Sequence, residues 1–309
     1  MPKNWAIDWL TIAWNYTALP LTEKSDPPAP DEAAQDAPPK SAAREWDSEP
    51  MAYQEWKGAS PLGYVRFALR VLTMVAALLV CVPLYYIWRI LRLSNPWPLL
   101  FLRSVGFACG ARVRVIGTPI KRDVFFVANH LSWVDIPILG GYNGSAFVAQ
   151  DGIASWPFIG WLCTLNNTIF VSRADRMGVA KQINQLRDAL EETWAVTVFP
   201  EGTTTDGSLL LPFKAPLLAV LDPPPPGILV QPVFIDFGDA ARDIAWIGEE
   251  GAPNNAWRLL TRPGNYRVEL HFLEPFDPQD YKGRKMIAAE ARNRIQEALS
   301  ASLNGEGAI

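Results

Sequence analysis

Two short apolar runs, Val124–Ala128 and Ala195–Val198, each stop abruptly on a cluster of chemistry-bearing residues. The first gives way to Asn129-His130-Leu131-Ser132-Trp133-Val134-Asp135, the second to Phe199-Pro200-Glu201-Gly202-Thr203. A chain that forms such runs into strands sets both clusters at strand carboxyl ends, where open α/β sheets bind their ligands. Pro200 has no N–H to donate and closes its strand. Of the chain's two histidines, His130 stands in the first cluster. A neutral histidine is the usual base near pH 7, and a carboxylate commonly fixes its tautomer. Five residues on a straight helix turn through about 140°. His130 and Asp135 therefore meet only if His130 lies in the turn before a helix and Asp135 in its first turns. Gly202 admits close backbone approach by a ligand, and Glu201 and Thr203 add a carboxylate and a hydroxyl that bind substrate hydroxyls.

The rest of the chain repeats the same alternation. Further strands are expected at Val113–Ile116, Ala146–Ala149, Thr168–Val171, Leu229–Asp236 and Arg267–Phe272. Val179, Ile183, Leu186, Leu190 and Trp194 make one apolar stripe at helical spacing, and Ile287, Ala291, Ile295 and Leu299 make another. Strands alternating with helices predict an α/β fold, a layered sheet with flanking helices, over residues 95–309. His271 alternates within its strand without an acidic partner at a useful spacing and reads as structural.

Ahead of this domain the chain divides into three parts. Val71–Trp88 is an uncharged run bounded by Arg70 and Arg89. As a helix it reaches about 27 Å, near the hydrocarbon thickness of a bilayer, and Pro83 inside it predicts a kink. Residues 61–94 are expected to be a membrane-embedded helical segment; a single span, a hairpin dipping into one leaflet and a buried helix pair all fit. Residues 21–60 form an acidic, proline-rich linker. Eight acids stand against three bases within 21–50, so that stretch carries −5 of a total of −4, and its composition predicts disorder. Residues 1–20 carry Trp5, Trp9 and Ile12 on one helical stripe, which suits a membrane interface or docking on the main domain. Seven basic residues and no acid lie between Arg89 and Arg122, a pattern drawn to anionic headgroups. The acidic chain as a whole argues against nucleic acid. Cys81, Cys109 and Cys163 have neither disulfide nor metal spacing, which suits a reducing, cytosol-facing domain. The uncharged stretch Gly152–Val171, with Trp156, Phe158 and Trp161, fits core, acyl channel or bilayer contact.

The clusters resemble the glycerolipid acyltransferase family, which includes the 1-acylglycerol-3-phosphate (lysophosphatidic acid) acyltransferases. That family carries Asn-His-x4-Asp, an apolar-apolar-x-Arg block, Phe-Pro-Glu-Gly-Thr and a later strand containing proline. Here these are Asn129–Asp135, Phe170-Val171-Ser172-Arg173, Phe199–Thr203 and Val230-Gln231-Pro232-Val233. The resemblance implies that Arg173 holds the phosphate of an acyl acceptor, with Glu201, Gly202 and Thr203 lining the same pocket; Thr204 and Lys214 complete the expected substrate-binding set, Lys214 as an aid to Arg173. Two positions depart from the pattern. Ser172 precedes Arg173 where aspartate is common, and Thr204 stands where an arginine often follows Gly-Thr.

The reaction so implied moves a fatty acyl group from a thioester of coenzyme A or acyl carrier protein to the hydroxyl of a lysophospholipid. It needs no metal and no cofactor beyond the thioester co-substrate. 1-Acylglycerol-3-phosphate is the leading acceptor, and the lost arginine brings in other lyso-lipids such as lyso-ornithine lipid. Acyl-ester hydrolysis and lipid binding without turnover are the rival classes. The expected place is the cytoplasmic membrane, with the catalytic domain facing the cytosol and membrane lipids as neighbours.

Overall fold

The computed structural model describes residues 59–171 and 195–305. The tryptophan-rich segment, nearly all of the acidic linker, Arg173 and the stripe Val179–Trp194 lie outside the described residues. Helix α1 (Pro61–Ile90) starts with Ser60 accepting the Gly63 N–H and Pro61 in the first turn, and it runs through Pro83 as one element. Helix α2 (Trp97–Ala108) returns alongside it. There follow β1 (Ala111–Ile116), β2 (Val124–Ala128), α3 (Asp135–Asn143), β3 (Ala146–Gln150), α4 (Pro157–Leu165), β4 (Ile169–Val171), β5 (Ala195–Val198), β6 (Leu229–Asp236), α5 (Ala241–Ile244), α6 (Ala252–Thr261), β7 (Tyr266–Phe272) and α7 (Gly283–Leu303). Every strand expected from the sequence is present, with ends shifted by at most two residues.

Among the described residues, seven strands form one mixed sheet in the order β1-β7-β6-β2-β5-β3-β4. Five run parallel; β7 is antiparallel to β6, and β1 follows β7. The amino ends of β1 and β7 therefore meet the carboxyl ends of the other strands along one edge. Both faces are covered. Phe126, Leu131, Val134, Ile138, Leu259 and Leu270 fill the core under α3 and α6, while Phe125, Val127, Val196 and Val230 pack on the other side. There α7 buries the expected stripe of Ile287, Ala291, Ile295 and Leu299. Each large member of that stripe contributes roughly 1.5–3 kcal/mol.

Helix α1 joins this domain through its first third. Phe67 and Tyr64 pack their rings on Trp257 at centroid distances of 4.1 and 5.8 Å. Arg66 donates to the Thr261 carbonyl, and Arg70 to those of Leu259, Leu260 and Gly264. The carbonyls of the last turn of α6 have no partner within their own helix, and guanidinium charge suits that end of its dipole. Beyond Arg70, Val71 and Met74 still pack on the core and Cys81 is buried, but other apolar side chains are bare: Leu72 is 63% exposed and Leu79 69%. At 30 residues, α1 is long and apolar enough to cross a membrane.

Candidate active site

The site forms where β2 and β5 lie side by side, with Val127 paired to Val198. His130 and Glu201 each stand three residues past that pair, so parallel register alone brings the two clusters together. Asn129 pins the end of β2 to β6: its side chain accepts the Ile235 N–H at 2.7 Å and donates to the Ile235 carbonyl at 3.1 Å. The chain then turns, and Asp135 opens α3. This is the arrangement the five-residue spacing required.

His130 Nδ1 lies 2.8 Å from Asp135 Oδ2. The same oxygen accepts the backbone N–H groups of Leu131 at 2.7 Å and Ser132 at 2.9 Å. An oxygen that receives three donors is an acceptor, so the proton shared with the imidazole sits on Nδ1. Nε2 then carries the lone pair, the nitrogen a base needs. Asp135 is fully buried and His130 keeps 18% of its side chain in solvent. Phe199 stacks on the imidazole at 4.2 Å, within 19° of parallel. Carboxylate and ring together hold the imidazole in one orientation, with one edge open.

Glu201 has a role that the sequence did not show. The resemblance puts it in the acceptor pocket, yet it is 1% exposed and both oxygens are engaged. Oε1 accepts the His130 N–H and Oε2 the Leu211 N–H, each at 2.9 Å. It ties the two loops together. Burial pushes its carboxyl up to about 7, against the pull of the Leu211 and His130 N–H groups.

The neighbouring residues have separate placements. Gly202 has φ +67°, and a Cβ there would meet Lys214 Nζ at 2.6 Å. Only glycine suits both this backbone and the lysine lying across it. Lys214 and Thr203 are exposed beside the loop. Thr204 spends its hydroxyl on the Trp246 carbonyl. Ser132 is fully buried and its hydroxyl has no hydrogen-bond partner among the described residues, so it offers no nucleophile. His271 is structural, but its expected isolation is wrong. Glu269, two residues earlier on the same strand face, puts Oε2 3.3 Å from Nε2 without hydrogen-bond alignment. Trp156, Phe158 and Trp161 are 53, 55 and 36% exposed, so this cluster is surface, not core.

Along the same sheet edge an open cleft of about 480 Å³ is lined by Arg103, Arg112, Arg114 and Arg267 around Phe107 and Pro137. Arg112 lies 4.0 Å over the Phe107 ring, and Phe107 is 58% exposed.

A profile of the acyltransferase family matches residues 112–236, the span that carries both clusters. The chain is 32% identical over 263 residues to lyso-ornithine lipid O-acyltransferase of Brucella abortus, covering 79% of this chain and 97% of that one. The chain belongs to the acyltransferase family. Lyso-ornithine lipid O-acyltransferase of Rhizobium meliloti is 33% identical over 261 residues, 79% of this acyltransferase and 89% of that one. 1-Acyl-sn-glycerol-3-phosphate acyltransferase of Neisseria gonorrhoeae is 26% identical over 179 residues, 58 and 68% of the two chains. The crystal structure of the 1-acyl-sn-glycerophosphate acyltransferase of Thermotoga maritima shares the fold, with a TM-score of 0.56 at 22% identity over 80% of this acyltransferase and all of that chain. Trp246 and the segment around it lie past the matched profile. No motif pointed to them, because their contribution to the site is made by backbone atoms.

Proposed function

We propose that this acyltransferase moves a fatty acyl group from a thioester to the hydroxyl of lyso-ornithine lipid. His130 Nε2 takes the hydroxyl proton as the oxygen attacks the thioester carbonyl. The tetrahedral intermediate expels the thiolate, which recovers the proton from the imidazolium. Asp135 keeps Nδ1 protonated and stabilises the cation. The thioester is already activated, so the acyl group goes directly to the acceptor. The observation that carries this reading is the 2.8 Å contact of His130 with a buried Asp135 at the end of β2.

The acceptor follows from two further points. The relatives that cover most of the chain are named for lyso-ornithine lipid. Thr204 stands where the resemblance expects an arginine, and its hydroxyl is turned to Trp246, so the loop offers a phosphomonoester no second guanidinium. Lys214, across Gly202, is the cation left to meet an amino-acid carboxylate. Gly202 and Thr203 line the approach, and Arg173 takes an anionic part of the acceptor. A second reading, 1-acylglycerol-3-phosphate, draws on the retained Arg173 block and on the relatives at 26% identity. The bare flank of α1, the exposed aromatics of α4 and the arginine-lined cleft support attachment to anionic lipids of the cytoplasmic membrane, with the site on the cytosolic side where acyl thioesters of coenzyme A and acyl carrier protein are found.

The test is purified full-length protein incubated with labelled thioester, coenzyme A- and carrier-linked in turn, and with lyso-ornithine lipid, lysophosphatidic acid or no acceptor. Acceptor-dependent label with the highest kcat/KM on lyso-ornithine lipid is expected. Equal thioester loss without acceptor means a hydrolase, and no turnover means a binding protein.

A further inference from the structure

After β6 the chain crosses the site before returning as β7, and one residue of this crossing holds both catalytic loops. The Trp246 N–H donates to the Leu131 carbonyl at 2.8 Å, and the Trp246 carbonyl accepts the Thr204 hydroxyl. Leu131 follows the proposed base directly. Thr204 lies three residues past Glu201, whose carboxylate holds the base's own N–H.

Trp246 is itself tied down. Its indole N–H donates to the Glu250 carbonyl at 2.6 Å. The Arg258 guanidinium reaches both Glu250 oxygens at 2.9 and 2.8 Å and the carbonyls of Ala245 and Asp243 at 2.7 and 2.5 Å. Asn255, fully buried, donates to Glu250 Oε2 at 2.8 Å and accepts the indole N–H of Trp133 at 3.0 Å. Burial alone would raise the Glu250 carboxyl, but the bonds from Arg258 and Asn255 outweigh it and hold the group below its ordinary value. A planar fork that fills two carboxylate oxygens and two carbonyls fixes geometry as well as charge. Arg258 and Asn255 sit on α6, whose last turn, the one that carries Arg258, is gripped by Arg66 and Arg70 of α1. The clamp therefore acts from a fixed platform.

We propose that residues 243–250 are a strap that sets the spacing of the His130 and Glu201 loops, with Arg258 and Thr204 as positioning residues acting through Trp246. The proposal rests on the reaction assigned to His130, but it concerns how the loops are held, not which lipid is acylated.

The experiment is a double-mutant cycle on the full-length protein in mixed micelles, with Thr204→Val, Arg258→Ala and the pair. It is read on whichever thioester-consuming reaction the wild type performs. Absence of acceptor-dependent transfer in the wild type thus fails the functional reading and leaves the cycle intact. Each single variant is expected to lower kcat about tenfold, the worth of one good hydrogen bond, with KM for thioester and acceptor within about twofold. Thr204→Ser restores wild-type kcat. Because both residues work through one strap, the pair falls no further than the worse single variant. If Arg258→Ala does not fold, Trp246→Phe replaces it, since it removes the indole N–H tie to Glu250 and keeps an aromatic ring. Multiplicative losses in the pair, unchanged kcat in folded Thr204→Val, or a change confined to acceptor KM overturns the proposal.

Discussion

Glu201 Oε1 accepts the backbone N–H of His130 at 2.9 Å, across the gap between two strands whose last paired residues are Val127 and Val198. The bond fixes the height of the His130 loop against the loop that follows β5. Glu201→Gln puts an NH2 group against one of two N–H donors that both need an acceptor. Loop displacement is the result, and a shift near 1 Å at a reacting centre can cost about 100-fold in rate. The expected outcome is a 10- to 100-fold loss in kcat with acceptor KM within about twofold. Steady-state kinetics on folded protein decide it, and a loss carried by acceptor KM would return Glu201 to the substrate pocket.

The same carboxyl gives stability a pH dependence. Its ordinary value is 4.5 and burial raises it to about 7. Between these values the folded protein keeps a proton that the unfolded chain has released. Stability is therefore full below about pH 4.5, falls as pH rises towards 7, and is flat above. A group moved this far carries roughly 3 kcal/mol between its two protonation states. Glu201→Gln should lose that slope. Chemical denaturation at a series of pH values compares the two proteins, and identical slopes contradict the assignment.

Acceptor choice should respond to the loop after Glu201. Thr204→Arg breaks the tie to Trp246 and adds a cation suited to phosphate. Total rate should fall while the ratio of kcat/KM for lysophosphatidic acid over lyso-ornithine lipid rises. Lys214→Ala should weaken both acceptors, through KM. A panel of lyso-lipids run on all three proteins checks this. An unchanged ranking, with the wild type already strict for lysophosphatidic acid, would show that Thr204 does not govern the choice.

Helix α1 should hold the protein in membranes. Leu79 is 69% exposed near the middle of the apolar run. Leu79→Asp exchanges a favourable side chain for one that costs roughly 3 kcal/mol at a membrane centre. In flotation with vesicles the wild type should float, and the variant should move toward the soluble fraction. Wild type wholly soluble without detergent would refute the membrane attachment.

Much of this was legible in the chain. Strands of three to eight residues announced themselves as apolar or alternating runs stopped by turn residues, and the stripe Ile287–Leu299 announced α7. The pairing of His130 with Asp135 followed from spacing, because one turn and the start of a helix are local. What depends on register was hidden. The pairing of Val127 with Val198, which sets Glu201 against His130, has no signature in either segment, so the bond from the His130 N–H to Glu201 was not foreseen. Glu269 escaped notice as the neighbour of His271 because their contact is made across one strand face. Trp246 was invisible for a different reason. Its backbone makes the contacts, and almost any residue type offers the same N–H and carbonyl.

The central claim is that His130, held by Asp135, removes the acceptor proton. The most direct measurement is the rate of acyl transfer from labelled thioester to lyso-ornithine lipid by wild type, His130→Ala and Asp135→Asn, each shown to be folded and membrane-bound. Loss of the base should cost on the order of 10²–10⁴ in kcat, with a severe loss for Asp135→Asn as the ring loses its orienting charge. Turnover by folded His130→Ala within a few-fold of wild type would contradict the account.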